Sequence, residues 1–169
     1  MTERLTIIDF VEKYVAKYSK NPYLWEKNLD TNVWESTTYE ETLNKAKRIA
    51  AGLMALGVEK GDKISYLSEG RNMWVIGELS MFYAGAVNVP LSIKLEESND
   101  LMFRLLHGDV KYIMVSGTQL KKVRLIKDKL PLLERIIVFD EAIDALKTLE
   151  DKEITISEVN AMGDKFLAE

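Results

Sequence analysis

The sequence contains no cysteine and a single histidine, His107. Disulfide bridges and thiolate metal sites are therefore excluded, and one histidine cannot build a multi-histidine metal centre. No apolar run is long enough to span a bilayer. The opening residues, MTERLTIIDFVEKY, lack the basic and then apolar order of a secretory signal. Together these absences favour a cytoplasmic protein.

An excess of positive charge is also missing, because the net charge is −4 at pH 7. A nucleic-acid-binding protein needs a basic face, so we predict no nucleic-acid partner. The composition is 47% hydrophobic and 30% charged over 169 residues. This is typical of one soluble globular domain with a sizeable core.

The first 37 residues predict a helix followed by a β-hairpin. Apolar residues recur at near-helical spacing over residues 5–18, and Asn21-Pro22 ends that pattern. Two segments rich in aromatic and β-branched residues then flank the turn-forming Asp30-Thr31-Asn32. We expect Trp25 and Trp34 to pair across the hairpin and shield it, the alternative being an aromatic platform for a ligand.

Residues 38–140 predict an α/β core. Thr38 and Glu41 have the spacing of a capping box at a helix start, and Gly57 is placed to end that helix in a left-handed conformation. Four apolar runs then alternate with helical patterns, which predicts a mainly parallel sheet with crossover helices. The predicted strands are residues 63–68, 86–89, 111–115 and 135–139. The expected fold is a three-layer α/β domain with helices on both faces, preceded by an N-terminal helix and hairpin.

Several local features follow from the same patterns. Asn72 is expected to cap the helix that ends at Gly85, and Gly108 to close a helix over residues 96–107. Further helices are predicted over residues 118–129, 141–150 and 157–167, the last with Val159, Met162 and Phe166 facing inward. The predicted organisation is thus residues 1–37 as helix and hairpin, 38–140 as core, and 141–169 as a helical connection.

The carboxyl ends of parallel strands are where open α/β sheets bind ligands. Here those ends are Glu69–Asn72, Pro90–Ser92, Ser116–Thr118 and Asp140–Glu141, and none has the composition of a phosphate cradle. Gly52 and Gly57 have the interval of a phosphate loop, but Val58 stands where that loop needs lysine.

Two other groups of polar residues are better explained by helix ends than by catalysis. His107 precedes a helix-ending glycine, where we expect it to contact the last carbonyls. Glu96-Glu97 suits a helix start, where carboxylates are favoured by the helix dipole.

A basic cluster follows the third predicted strand: Lys121, Lys122, Arg124, Lys127 and Lys129. One interpretation is the solvated face of an amphipathic helix. The other is a docking site for a polyanionic ligand at the carboxyl edge of that strand.

The stretch from Thr38 to Leu91 resembles the N-terminal subdomain of the adenylate-forming acyl-CoA synthetases. In that family T-Y-x-E-L, A-x-x-L-x-x-L-G-V-x-x-G-D and A-G-A-V-x-V-P-L follow one another at these distances. The segment Ser68–Trp74 is similar to the S-E-N-R-P-E-W of the long-chain fatty-acid branch; Arg71 and Trp74 match it, whereas Gly70, Asn72 and Met73 depart. The positions kept from the ordered set are Thr38, Tyr39, Glu40, Ala51, Leu53, Leu56, Gly57, Val58, Gly61, Asp62, Ala84, Gly85, Ala86, Val87, Val89, Pro90 and Leu91.

The resemblance implies a ligase that activates a fatty acid with ATP to an acyl-adenylate and transfers it to CoA. It implies ATP, Mg²⁺ and CoA as ligands of the full enzyme, with none bound tightly by this segment. The family's phosphate loop, later adenylate-binding segments and C-terminal lysine are not in these residues, so no catalytic residue can be assigned. We therefore expect an inactive N-terminal part of a longer enzyme. As a hypothesis for the full enzyme, Lys121, Lys122 and Arg124 contact the CoA 3′-phosphate.

The expected partners are the remainder of the polypeptide and a fatty-acid substrate. The resemblance also allows a homodimer and a peripheral contact of the full protein with the membrane. The rival hypothesis is a free-standing α/β interaction or regulatory domain without catalysis. A nucleotide-binding domain complete in itself is opposed by the missing phosphate loop.

Overall fold

The fold was analysed in a computed structural model that describes residues 5–28, 30–140 and 148–169. The helix predicted over 141–150 lies mostly outside these residues. The helices are α1 (Ile7–Tyr18), α2 (Tyr39–Ala55), α3 (Asn72–Tyr83), α4 (Ser98–His107), α5 (Gly117–Arg124) and α6 (Ile156–Ala168). The strands are β1 (Pro22–Lys27), β2 (Trp34–Thr38), β3 (Lys63–Leu67), β4 (Val87–Pro90), β5 (Val110–Val115), β6 (Arg135–Val138) and β7 (Glu153–Thr155).

The central sheet has five strands in the order β4-β3-β5-β6-β7, and every neighbouring pair is parallel. All four predicted strands are therefore confirmed. The fifth, β7, was missed because its three residues, Glu-Ile-Thr, are too short to show an apolar pattern. The N-terminal hairpin is a separate antiparallel pair, β1 with β2, as predicted.

Helices cover both faces of this sheet, which confirms the three-layer architecture. Along each strand successive residues alternate between two cores: Tyr112 and Met114 face α2, α3 and α6, whereas Ile113 and Val115 face α4 and α5. Because both faces are buried, the strands are continuous apolar runs rather than alternating ones.

The chain reverses its direction of travel across the sheet at β3. It first moves from β3 to β4 at one edge and then returns past β3 to β5, placing α3 and α4 on opposite faces. A constant right-handed crossover requires this change of face. The gap between the carboxyl ends of β3 and β5 is thus the topological switch point, where doubly wound sheets bind ligands.

The helix α2 begins and ends as its sequence predicts. Thr38 and Glu41 form the capping box, each side chain bonding the other residue's backbone N–H. At the other end Gly57 has a φ of 103°, and the N–H of Val58 donates to the Leu53 carbonyl at 3.0 Å. This is the Schellman arrangement, which glycine permits because it has no Cβ.

The helix α6 packs on α2 at very short range. A Cβ built on Gly52 would lie 2.1 Å from the Val159 carbonyl oxygen, and one on Gly163 would lie 2.1 Å from that of Arg48. The face of α6 that is buried consists of Ile156, Val159 and Gly163. The prediction that Phe166 faces inward is wrong, since its side chain is exposed. The helical periodicity of α6 pointed to Phe166 as a buried residue. The backbones of α6 and α2 approach so closely, however, that only a glycine, Gly163, fits between them.

Three local expectations are wrong. The strand register places Trp25 opposite Ser36 and Trp34 opposite Lys27, so the two indoles, 56% and 60% exposed, are not directly paired. Asn72 is the first residue of α3 rather than its cap, and Arg71 occupies the cap position without a side-chain hydrogen bond to the helix N-terminus.

Gly108 is the C-cap of α4 and closes that helix as predicted, although the helix begins at Ser98 rather than at residue 96. The third wrong expectation concerns a helix end. The helix predicted over 118–129 ends at Arg124 and is followed by a short 3-10 turn, Lys127–Lys129.

Candidate functional site at the carboxyl edge of the sheet

Polar side chains from three strand ends meet at the switch point. Glu69 and Arg71 follow β3, Ser116 and Gln119 follow β5, and Asp140 follows β6. We call these five residues the carboxyl-edge cluster. Their positions after consecutive strands bring them together, because parallel strands end at one edge of a sheet.

Asp140 connects two of these strand ends. Arg71 Nη1 donates to its Oδ1 at 2.6 Å, and the N–H of Gly117, at the start of α5, donates to its Oδ2 at 2.8 Å. Arg71 Nε also lies 3.8 Å from Glu26 Oε1 of the hairpin. The Arg71 guanidinium therefore joins the hairpin, β3 and β6.

Glu69 forms a second connection, between β3 and β5. Gln119 Nε2 donates to Glu69 Oε1 at 2.6 Å. Burial acts to raise the pKa of Glu69, but the hydrogen bond from Gln119 and the nearby charge of Arg71 act to lower it, and the pKa lies below its ordinary value. Glu69 is thus held as a carboxylate, which suits a structural acceptor rather than a proton donor near neutral pH.

A half-open cleft of about 650 Å³ begins beside this cluster. Arg71 lies at one side, and the walls come from the hairpin, from α2 through Lys45 and Arg48, and from α6 through Asn160. The charges in its wall are mixed, and Arg48 is engaged by both carboxylate oxygens of Asp164. The cleft can accommodate a polar segment of chain, but it presents no array of one sign of charge.

The arrangement positions loops rather than performing covalent chemistry. Each carboxylate of the cluster is occupied by an internal donor, and among the described residues of the cluster no nucleophile is hydrogen-bonded to a base. Within residues 5–28, 30–140 and 148–169, no group of three or more His, Cys, Asp or Glu is suited to hold a metal ion. Across the same ranges, no helix is both long enough and apolar enough to cross a membrane.

The basic cluster predicted from the sequence is divided between partners. Lys122 Nζ donates to the Ile93 carbonyl at 2.7 Å and lies 2.9 Å from Glu96 Oε1. Arg124 makes a bidentate pair with Glu153, both contacts at 2.7 Å. Lys121 is exposed on α5 and makes no ion pair within the part of the chain described. Of the three residues predicted to contact CoA, Lys121 alone therefore presents an ammonium that is not already engaged.

The predicted helix-end contacts gave mixed results. Glu97 occupies the cap position of α4, as its type suggests, and Glu96 precedes it. His107 instead stacks on the Phe103 ring, with ring centroids 5.6 Å apart. The carboxyl-edge cluster was missed as a constellation although its strand ends were identified. The sequence names the strand ends, but the pairings depend on strand order, which spacing does not reveal.

Solved structures share this architecture at low sequence identity. The A-PCP didomain of carboxylic acid reductase from Segniliparus rugosus, in complex with AMP, superimposes with a TM-score of 0.83 at 18% identity, over 96% of this chain and 27% of that one. The anthranilate CoA ligase AuaEII, in complex with anthranoyl-AMP, gives 0.80 at 19% identity, over 95% and 29%. The fold is that of the N-terminal domain of adenylate-forming enzymes.

The sequence comparisons identify the family. The chain belongs to the AMP-binding enzymes, whose family model matches residues 11–164. A long-chain-fatty-acid–CoA ligase of Thermus thermophilus is 27% identical over 141 residues, which is 83% of this chain and 26% of that protein. Long chain acyl-CoA synthetase 8 of Arabidopsis thaliana is 25% identical over 156 residues, which is 92% of this chain and 20% of that protein. The chain thus spans about a quarter or less of these relatives.

Proposed function

We propose that this chain is the N-terminal subdomain of an AMP-forming acyl-CoA synthetase that acts on fatty acids, with long-chain acids as the substrate class. The observation that carries the proposal is the family match over residues 11–164, together with relatives named long-chain acyl-CoA ligases and synthetases. Ligase chemistry and fatty-acid metabolism follow from the same relatives. The cytoplasm, with peripheral membrane contact, is the proposed location.

The reaction of the whole enzyme would have two steps. The substrate carboxylate attacks the α-phosphorus of ATP, forming the acyl-adenylate and releasing pyrophosphate. The CoA sulfur then attacks the acyl carbon, and AMP leaves. Mg²⁺ would offset the phosphate charge in the first step.

The described residues do not fit ATP or Mg²⁺. Stabilising a transferred phosphoryl or adenylyl group needs preorganised donors and cations at the phosphates, and the strand ends here carry no glycine-rich loop with a lysine in it. The carboxylates of the carboxyl-edge cluster already have internal partners. The role we propose for this chain is therefore scaffolding: it fixes the sheet and the strand-end loops against which the rest of the enzyme packs.

Pyrophosphate exchange into ATP tests this proposal. We expect no fatty-acid-dependent exchange by residues 1–169 alone and clear exchange by a whole protein that carries this chain at its N-terminus. Exchange by the chain alone would show that the active site lies within it. Absence of exchange by the whole protein with any fatty acid would favour the alternative function, a free-standing interaction or regulatory domain.

We also propose that Lys121, Lys122 and Arg124 assist CoA binding in the whole enzyme, with Lys121 as the exposed member. Lys121→Ala combined with Lys122→Ala should raise the KM for CoA and leave pyrophosphate exchange unchanged, because exchange does not involve CoA. Lys129→Ala, a charge removal in the following turn, is the matched control. An unchanged KM in the double variant would reject the assignment. Arg124 is left out of this variant because it is paired with Glu153, so its removal would also affect folding stability.

A further inference from the structure

An apolar groove of about 340 Å³ lies between the N-terminal helix, the hairpin and α2, and no residue of the carboxyl-edge cluster lines it. Its walls come from Ile7, Phe10 and Tyr14 of α1, Tyr23 of β1, and Tyr39 and Leu43 of α2. None of the described residues that line it is charged. Ile7 and Phe10 remain 58% and 46% exposed, so α1 leaves the groove open. The volume is at the lower end of the range for small-molecule sites, which are mostly apolar.

Three tyrosine rings, those of Tyr14, Tyr23 and Tyr39, line this groove, and the ring of Tyr18 adjoins them. The rings of Tyr14 and Tyr18 are stacked with centroids 6.2 Å apart, Tyr18 lies 6.0 Å from Tyr39, and Tyr39 stacks on Tyr23 at 4.3 Å. We call these four residues the tyrosine series.

The hydroxyls of the tyrosine series differ from those of the other three tyrosines in the sequence. Tyr66, Tyr83 and Tyr112 each donate a hydrogen bond, to the Met73 carbonyl, to Glu12 and to Glu134 respectively. No hydroxyl of the tyrosine series has a hydrogen-bond partner among the residues that the structure describes. Four phenolic donors are therefore available at the groove.

A lysine lies beside Tyr18, the member of the tyrosine series that adjoins the groove. Lys17 is seven residues after Phe10, so it shares the same stripe of α1, and its Nζ lies 5.0 Å from the centroid of the Tyr18 ring. In the described ranges Lys17 makes no ion pair, whereas Glu12 is paired with Lys47 and Asp9 is held in the cap of α1. The uncompensated charge of α1 on the groove side is therefore positive.

We propose that this groove binds an alkyl chain with a single anionic head, its tail along Ile7, Phe10 and Leu43 and its head at Lys17 and the tyrosine series. The uncharged wall suits methylenes, and the phenols and ammonium suit an oxyanion. From Ile7 to Lys17 the helix rises about 15 Å, comparable to half of the ~30 Å hydrocarbon core of a bilayer. No residue of the carboxyl-edge cluster lines the groove, so the proposed site is separate from that cluster.

Calorimetry on the 169-residue chain tests the proposal with three probes: dodecanoate below its micellar concentration, 1-dodecanol below its solubility limit, and acetate. Dodecanoate should bind, dodecanol should bind more weakly, and acetate should not bind. Lys17→Gln should weaken dodecanoate on the order of threefold and leave dodecanol unchanged, as expected for an exposed ion pair. Leu43→Trp, which fills the groove, should weaken the binding of dodecanoate and of dodecanol roughly tenfold or more. The loss of only two buried methylenes from the bound alkyl chain already lowers affinity by about tenfold.

Two matched variants serve as controls. Lys13→Gln removes a charge elsewhere on α1, and Leu125→Trp adds an indole at a residue that is 63% exposed on another surface. Neither should change dodecanoate affinity. If Leu43→Trp does not fold, a photoreactive alkyl carboxylate provides an independent readout, since it should label residues 5–18 in the wild-type chain.

Three outcomes would overturn the proposal. Dodecanoate affinity could be equal in wild type, Lys17→Gln and Leu43→Trp. Labelling could fall outside α1, β1 and α2. The chain could be a dimer that fails to bind dodecanoate and that Leu43→Trp converts to monomer, in which case a second copy covers the groove.

Discussion

Replacing Arg124 with alanine tests how this structure uses a residue that sequence patterns assigned to a ligand. Arg124 Nε and Nη2 each lie 2.7 Å from an oxygen of Glu153, and Nη2 also donates to the Thr148 carbonyl at 3.2 Å. The Glu153 side chain is 0% exposed and that of Arg124 is 19% exposed. The pair connects α5 to the edge strand β7.

The expected cost follows from this burial. Removing one partner of a fully buried ion pair destabilises by about 3–5 kcal/mol, since the other charge is left uncompensated, whereas an exposed pair contributes only about 0.2–1 kcal/mol. Water can reach the space left by Arg124 in part, so we expect about 2–3 kcal/mol, between these limits. For a chain of this length that is a fall in Tm of roughly 4–12 °C.

Urea unfolding of wild type, Arg124→Ala and Lys121→Ala measures this cost. Lys121 lies three residues earlier on the same helix and is exposed, so its substitution should change the free energy of unfolding by less than about 0.5 kcal/mol. If Arg124→Ala is as mild as Lys121→Ala, the reasoning that Glu153 depends on Arg124 is refuted. A confirmed loss would also mean that CoA effects of Arg124 variants must be separated from effects on folding.

Three further outcomes are expected. Gly52→Ala and Gly163→Ala should each cost on the order of 1–3 kcal/mol by overpacking the contact of α2 with α6, whereas Gly70→Ala, whose added Cβ would meet nothing within 4 Å, should be nearly neutral in thermal unfolding. Thr38→Ala should cost about 0.5–2 kcal/mol in chemical denaturation through loss of the capping box; an unchanged midpoint would contradict that role. Burial acts to raise the pKa of Glu153, but the Arg124 hydrogen bonds outweigh it, so its pKa lies below the ordinary 4.5. The pair's contribution is therefore present above that value and is lost as pH falls through the folded-state pKa, and wild type should lose more stability than Glu153→Gln between about pH 6 and pH 3.

Local sequence patterns were reliable where a local interaction decides the structure. The capping box of Thr38 and the left-handed Gly57 involve residues within five positions of one another, so their geometry is a property of the segment itself. The same capping box recurs at Thr6 with Asp9 and at Thr155 with Glu158, which the periodicity alone had not shown. These three boxes mark the starts of α1, α2 and α6.

Patterns failed where the deciding partner lies far away in the chain. Phe166 was expected to face inward because it is large and apolar, but the approach of α6 to α2 selects Gly163. Trp25 and Trp34 were expected to pair, but the strand register places them opposite Ser36 and Lys27 instead. The carboxyl-edge cluster depends on strand order in the same way, since Glu69 and Gln119 are 50 residues apart.

The sequence by itself determined the α/β class, the positions of four strands and the family, because these depend on periodicity, caps and an ordered set of motifs. The tertiary structure decided that β5 lies beside β3, that Arg124 faces Glu153, and that the tyrosine series borders an open groove. Each of these requires knowing which distant segments become neighbours. Which segments become neighbours depends on how all the strands and helices together bury both faces of the sheet, and no single segment carries that information.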